Sequence, residues 1–163
     1  MPLRCLLVAG SIFLLACGGG GESPRETLAE ARKALAEGRY PDVLQAADQA
    51  LAGGGADEVT AWGLELVKLE ALARSGDGDA TLAQLAKLAT ERPTNMGANQ
   101  YAATADQLRA AGAGPFAIQA LDAGLQRFPD DGELKGQIEA AKQAATDPGS
   151  DELEMLRSLG YVE

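Results

Sequence analysis

The sequence predicts an all-α domain built as an array of antiparallel helix hairpins, with about three pairs of helices and a capping helix. The composition is the first observation, because aromatic residues make up only 4% of the 163 residues while alanine is abundant. Such a composition favours closely packed helices over strands. The second observation is that apolar residues recur at three-and-four spacing in successive segments separated by glycine, proline and aspartate.

Eight segments show this helical spacing, and turn residues bound each of them. In chain order they cover residues 25–37, 41–51, 57–74, 79–91, 97–111, 115–129, 132–145 and 151–159. The third segment is apolar on two sides, with Val59, Trp62 and Leu69 in one stripe and Leu64 and Val67 in another. A helix of this kind is expected to pack between two neighbours. The seventh is apolar on one side only, as expected of a helix that ends an array.

Internal repetition is clearest in the third pair of segments. In chain order it has an aromatic, a small, a large, a turn, a small, two large and a proline position. These are occupied by Tyr101, Ala105, Leu108, Gly112, Ala117, Leu121, Leu125 and Pro129. Pro93 lies 36 residues before Pro129, near a repeat period of about 34. Together these positions resemble the tetratricopeptide repeat, and the resemblance covers residues 25–145.

Two departures from this family's pattern concern the third and middle pairs. Gly124 stands where the family usually has alanine. Trp62 and Gly76 imply different offsets in residues 57–93, so the repeat register there stays open and a lengthened third helix is expected. The alternative to a repeat array is an irregular bundle of the same helices.

The amino terminus carries a different pattern. An apolar run from Leu6 to Leu15 follows Arg4 and ends in Leu14-Leu15-Ala16-Cys17, before four glycines; this is the layout of a secretory signal. It resembles the lipobox of bacterial lipoproteins, which implies cleavage before Cys17 and attachment of fatty acyl chains such as palmitate there. Residues 1–16 would then be a signal peptide, and residues 17–24 a lipidated cysteine with a glycine-rich spacer. The alternatives are an ordinary signal or an uncleaved anchor, although spanning needs roughly 20 apolar residues.

The charge and the missing residue types exclude several function classes. A formal net charge of −10 does not suit binding to nucleic acid, whose phosphates require a basic surface. The chain has no histidine, and histidine is the commonest general base and metal ligand. The segment 76–79, Gly-Asp-Gly-Asp, lacks the terminal glutamate of a calcium loop, so we expect an inter-helix turn. We therefore expect a protein that is not an enzyme and that holds no cofactor or metal.

The tetratricopeptide resemblance implies that the first helix of each pair lines a concave surface for a protein or peptide partner. The candidate groove residues are Arg25, Arg32, Glu70, Arg74, Asn99, Asp106 and Arg109. Exposed pairs at helical spacing also occur without any partner, which is the alternative for these charges.

Residues 146–163 form a linker and a short C-terminal helix or tail. The tail either docks to a partner or folds back to seal the last helix. Its candidate docking residues are Leu153, Leu156, Leu159 and Tyr161.

The function predicted from these patterns is that of a lipid-anchored scaffold or adaptor in a bacterial envelope. Gly18 follows Cys17, and by analogy with the lipoprotein family the absence of aspartate there favours the outer membrane. A narrower version is an assembly factor for an outer-membrane or secretion complex. The rival is a catalytic or ligand-binding envelope lipoprotein whose pocket the sequence does not reveal.

Overall fold

Residues 23–163, which the computed structural model describes, form eight α-helices joined by short turns. They are α1 Pro24–Ala36, α2 Tyr40–Ala52, α3 Glu58–Ser75, α4 Gly78–Glu91, α5 Ala98–Ala110, α6 Gly114–Arg127, α7 Gly132–Ala144 and α8 Asp151–Ser158. Each end lies within two residues of the predicted one. The predicted signal peptide, Cys17 and most of the spacer lie outside the described residues.

Short polar side chains fix where several of these helices begin. The side chains of Ser23, Asp57 and Asp131 each accept a hydrogen bond from a backbone N–H in the first turn of α1, α3 and α7, which satisfies a donor that the helix itself leaves free. Between α3 and α4, Gly76 has a left-handed φ of 79° and Asp77 caps α4. The segment 76–79 thus joins two helices as the sequence predicts, with the turn at Gly76 and Asp77 and the first residues of α4 at 78–79.

The helices pack as antiparallel hairpins with neighbours in the chain. α1 packs on α2, α3 on α4 and α5 on α6, while the first helices contact one another in the order α1, α3, α5, α7. This arrangement confirms the predicted all-α hairpin array. α4 departs from the simplest repetition, because its main contacts beyond α3 are with α6.

Two hydrophobic cores lie on either side of α3. The N-terminal core contains Leu28, Ala31, Ala34, Leu35, Val43, Ala47, Leu64, Val67 and Ala71. The C-terminal core contains Leu69, Ala73, Leu85, Leu88, Met96, Tyr101, Ala102, Ala105, Leu108, Ala117, Ile118, Ala120, Leu121, Leu134, Ile138 and Leu156. The prediction of a helix packed between two neighbours is therefore confirmed for α3.

Helix α3 is longer than the other first helices, as the conflicting repeat offsets suggest. It has 18 residues, whereas α1 and α5 have 13. Val59 in its first turn is 81% exposed, so its assignment to an apolar stripe is wrong. The reason is that Val59 lies on the outer side of this turn, whereas Thr60 beside it is buried.

A buried polar network joins α3 to α4. The carboxylate of Glu65 is buried and accepts hydrogen bonds from Nε2 of Gln84 at 2.5 Å and from Nζ of Lys87 at 2.8 Å. The bond with Glu65 raises the pKa of Lys87. A buried carboxylate needs such partners, so this network favours one register between the two helices.

No helix among residues 23–163 is both long enough and apolar enough to cross a bilayer.

Candidate partner-binding face

A cleft of about 410 Å³ lies where the C-terminal ends of α3 and α5 meet the start of α2. It is lined by Tyr40, Arg74, Asp106, Gln107, Ala110 and Ala111. We call it the α3–α5 cleft. Successive first helices run parallel in an array of antiparallel hairpins, so their last turns come together at one edge.

Four of the predicted groove residues form two ion pairs at this edge. Arg74 pairs with Glu70 at 2.6 Å along α3, and Arg109 pairs with Asp106 at 2.9 Å along α5. Nε2 of Gln137 on α7 also donates to Asp106 at 3.3 Å. Exposed pairs of this kind contribute little to stability. Their charges can therefore be exchanged for those of a partner at small cost.

The structure places the other three predicted groove residues elsewhere. Arg25 in the first turn of α1 pairs with Asp57 at 2.7 Å, and Asn99 is exposed in the first turn of α5. Both lie at the end of the first helices opposite the cleft. The exposed Arg32 lies midway along α1, with its guanidinium over Gly63 of α3.

Arg25 donates a hydrogen bond to Asp57, the residue that caps the start of α3. Asp57 accepts a hydrogen bond from the backbone N–H of Thr60 at 2.8 Å and a second bond from the Arg25 guanidinium. The Thr60 bond is the larger cause, and together these bonds lower the pKa of Asp57 to about 2. The contact ties α1 to the start of α3.

Besides Ala110 and Ala111, sequence reasoning missed two cleft residues, Tyr40 and Gln107. Tyr40 reads as part of the turn between the first two helices, yet it opens α2 and packs partly on the N-terminal core. The available signal was an aromatic residue immediately before a predicted helix. Gln107 gives no such signal, because a half-buried glutamine on an amphipathic helix looks like any other boundary residue.

The C-terminal tail folds back on the array. α8 packs mainly on α6 and also contacts α7. Leu156 is fully buried in the C-terminal core, and Leu159 and Tyr161 pack against it, while Leu153 is partly exposed. These contacts favour the capping alternative, because docking through Leu156 would first require the tail to detach.

A hydrogen bond from Tyr161 connects the end of this tail to α6. Its hydroxyl donates to Oδ1 of Asp122 on α6 at 2.8 Å. Burial, and then the bond to the carboxylate, raise the pKa of Tyr161 to about 12. The phenol is thus held in its neutral, donating form.

A second cavity, which we call the C-terminal cavity, has a volume of about 280 Å³. It lies where α5 and α7 end and where α6 and α8 begin, and its walls include Arg109, Ile118, Ala141, Ala144, Asp147 and Glu152. The Asp106–Arg109 pair stands between this cavity and the α3–α5 cleft, since each cavity is lined by one of the two residues.

Among residues 23–163, no cluster of three or more histidine, cysteine or carboxylate side chains is arranged to hold a metal ion. Comparison with known protein families, curated proteins and solved structures gives no significant match to this chain.

Proposed function

We propose that this protein is a lipid-anchored scaffold or adaptor of a bacterial envelope, and that it binds a protein or peptide partner along the edge formed by its first helices. The lipid on Cys17 would hold the protein at a membrane, and the helical array would present the binding surface. Tetratricopeptide-like recognition is part of this proposal.

The single observation that carries the proposal is the α3–α5 cleft. Arg74 and Asp106 place opposite charges in one concave surface, and Tyr40 adds an aromatic ring. Tyrosine and arginine are enriched among the residues that dominate binding energy at protein interfaces. A helical-repeat array offers such a surface without needing catalytic groups.

The partner proposal is tested by co-purification with two cleft substitutions. Arg74→Ala combined with Asp106→Ala removes both charges and, judged from exposed ion pairs, should cost about 1 kcal/mol of stability or less. We expect a partner that co-purifies with the wild-type protein from mildly crosslinked cells to be lost from this variant. Lys33→Ala, which changes an exposed cation of α1 away from the cleft, should retain it. Equal recovery with the cleft variant would count against the proposal.

The anchor is tested separately by Cys17→Ala. A single acyl chain binds a bilayer only marginally, whereas two or more give stable anchoring. We expect the variant to leave the membrane fraction and to lose metabolic labelling with palmitate. Unchanged membrane retention would exclude the lipid anchor.

The outer membrane is the proposed location, because Gly18 follows Cys17. Assembly of an outer-membrane or secretion complex is the narrower role proposed for the adaptor. Separation of inner and outer membranes by density, followed by detection of the protein, distinguishes the two locations.

A further inference from the structure

We propose that the C-terminal cavity receives a lysine or arginine side chain of the partner protein. This inference rests on the proposed adaptor function and adds the chemistry of one contact. It follows from the size of the cavity, its apolar walls and the uncompensated acidic groups at its mouth.

The cavity is large enough to receive one long side chain. Its volume of about 280 Å³ lies below the roughly 300–1,000 Å³ of sites for drug-sized ligands. The space exists because α8 packs mainly on α6 instead of pairing closely with α7. The facing residues of α7, among them Ala141 and Ala144, are too small to fill the gap.

The walls suit a side chain with an aliphatic stem. Ile118, Ala141 and Ala144 supply apolar surface, and the backbone at Gly114 completes one wall. Lysine and arginine bury their methylene stems against such surface while the charged head stays near water. An acidic side chain would meet the carboxylates described next.

Asp147 and Glu152 place two carboxylates at the mouth. Neither of them forms an ion pair with any residue of 23–163, whereas the neighbouring cations are already engaged. Arg109 pairs with Asp106 at 2.9 Å, and Lys142 pairs with Glu139 at 2.8 Å. The uncompensated charge at the mouth is therefore negative.

The part of the chain around the cavity is also acidic. Residues 130–163 carry nine acidic and three basic side chains, which gives a net charge of −6. Residues 23–129, a much longer stretch, carry fourteen acidic and ten basic side chains, which gives a net charge of −4. A basic segment would thus be attracted to this end of the array.

Gly114 leaves room for the Glu152 side chain. The Glu152 carboxylate lies against the Gly114 backbone, in the space that a Cβ on Gly114 would occupy. Because Gly114 has no Cβ, the carboxylate can lie over the start of α6, beside the mouth of the cavity.

The test is a titration of the full chain in mild detergent, with isoleucine methyl groups labelled with ¹³C and followed by nuclear magnetic resonance. Ile118 lines the cavity, and Ile138 is buried in the core as an internal control. The probes are the N-acetyl methylamides of lysine, arginine and norleucine, the last having an aliphatic stem without charge. We expect lysine and arginine to shift Ile118 saturably at millimolar concentrations, and norleucine to bind about fivefold more weakly.

Two variants make the result specific. Asp147→Asn combined with Glu152→Gln should weaken lysine binding about fivefold and leave norleucine binding unchanged. Glu30→Gln, at an exposed position on α1, should change neither. Equal binding of norleucine and lysine, full affinity in the double variant, or no shift of Ile118 at tens of millimolar would each overturn the inference.

Failure here is distinguishable from failure of the adaptor function. The titration uses defined probes and a local reporter, whereas the adaptor function is tested by loss of a co-purifying partner from the cleft variant. If the cleft substitutions release the partner while lysine does not shift Ile118, the adaptor function stands and this inference fails.

Discussion

The two cores on either side of α3 differ in size and in the way they are closed. The N-terminal core has nine buried residues from three helices, and four of the nine are alanine. The C-terminal core has sixteen buried residues, and the folded-back tail contributes Leu156 to it. Since stabilisation scales with the apolar area buried, the N-terminal core is expected to open more readily.

The α3–α5 cleft lies where these two cores meet. Tyr40 packs on the N-terminal core, whereas Asp106 and Gln107 belong to a helix of the C-terminal core. A partner in the cleft would therefore contact both parts of the array. Binding would stabilise the weaker core by mass action.

The largest expected effect comes from a cavity in the larger core. Leu121→Ala removes a fully buried side chain of α6 and should lower the free energy of unfolding by about 3 kcal/mol. Val43→Ala is the corresponding truncation in the N-terminal core and should cost about 2 kcal/mol, because it removes one carbon atom fewer and leaves a smaller cavity. Urea denaturation measures both costs.

Native-state hydrogen exchange shows which core each change opens. Val43→Ala should accelerate exchange in α1 and α2 and leave α6 protected, because local opening follows local burial. Equal acceleration in both cores would mean that the array unfolds as one unit.

The tail is the next feature to test, because it closes only the C-terminal core. Leu156→Ala should lower the free energy of unfolding by about 2.5 kcal/mol, as expected for a buried leucine. Leu153→Ala, at a partly exposed position of the same helix, should cost less than about 1 kcal/mol. Thermal and urea unfolding measure the difference. Equal costs would remove the support for a capping role.

The smallest expected effect is an acid sensitivity confined to the N-terminal core. The pKa of Asp57 falls from 3.8 to about 2 in the folded state, so its contribution to stability is complete above pH 3.8 and is lost as the pH falls towards 2. Asp57→Asn keeps a good helix cap without the charge and should lack this component. Hydrogen exchange in α1 across that pH range is the measurement.

Arg25→Ala provides the control for this acid sensitivity. It removes the ion pair and leaves the larger cause, the Thr60 N–H, in place. The acid-sensitive component should therefore shrink and persist in part. An unchanged pH profile in Asp57→Asn would contradict this account of the cap.

The fold could be predicted from local features of the sequence. Caps such as Ser23 and Asp131 mark helix starts, and the two apolar sides of α3 identify it as the helix shared by both cores. The cleft could be predicted only in part, because residues on one helix face need not lie at the same end of the array. Arg74 and Asp106 line the same cleft, whereas Arg25 and Asn99 lie at the opposite end. Tyr40 joins the cleft through the way α2 packs on α3, which depends on contacts far apart in the chain.

The central claim, that a partner binds in the α3–α5 cleft, is tested most directly by site-specific photo-crosslinking in living cells. A photoreactive amino acid replaces Gln107 in the cleft or, as the control, Ala83 on the exposed surface of α4. The account predicts a discrete crosslinked protein from position 107 that is absent from position 83. A crosslink from position 83 alone, or none from position 107, would contradict it.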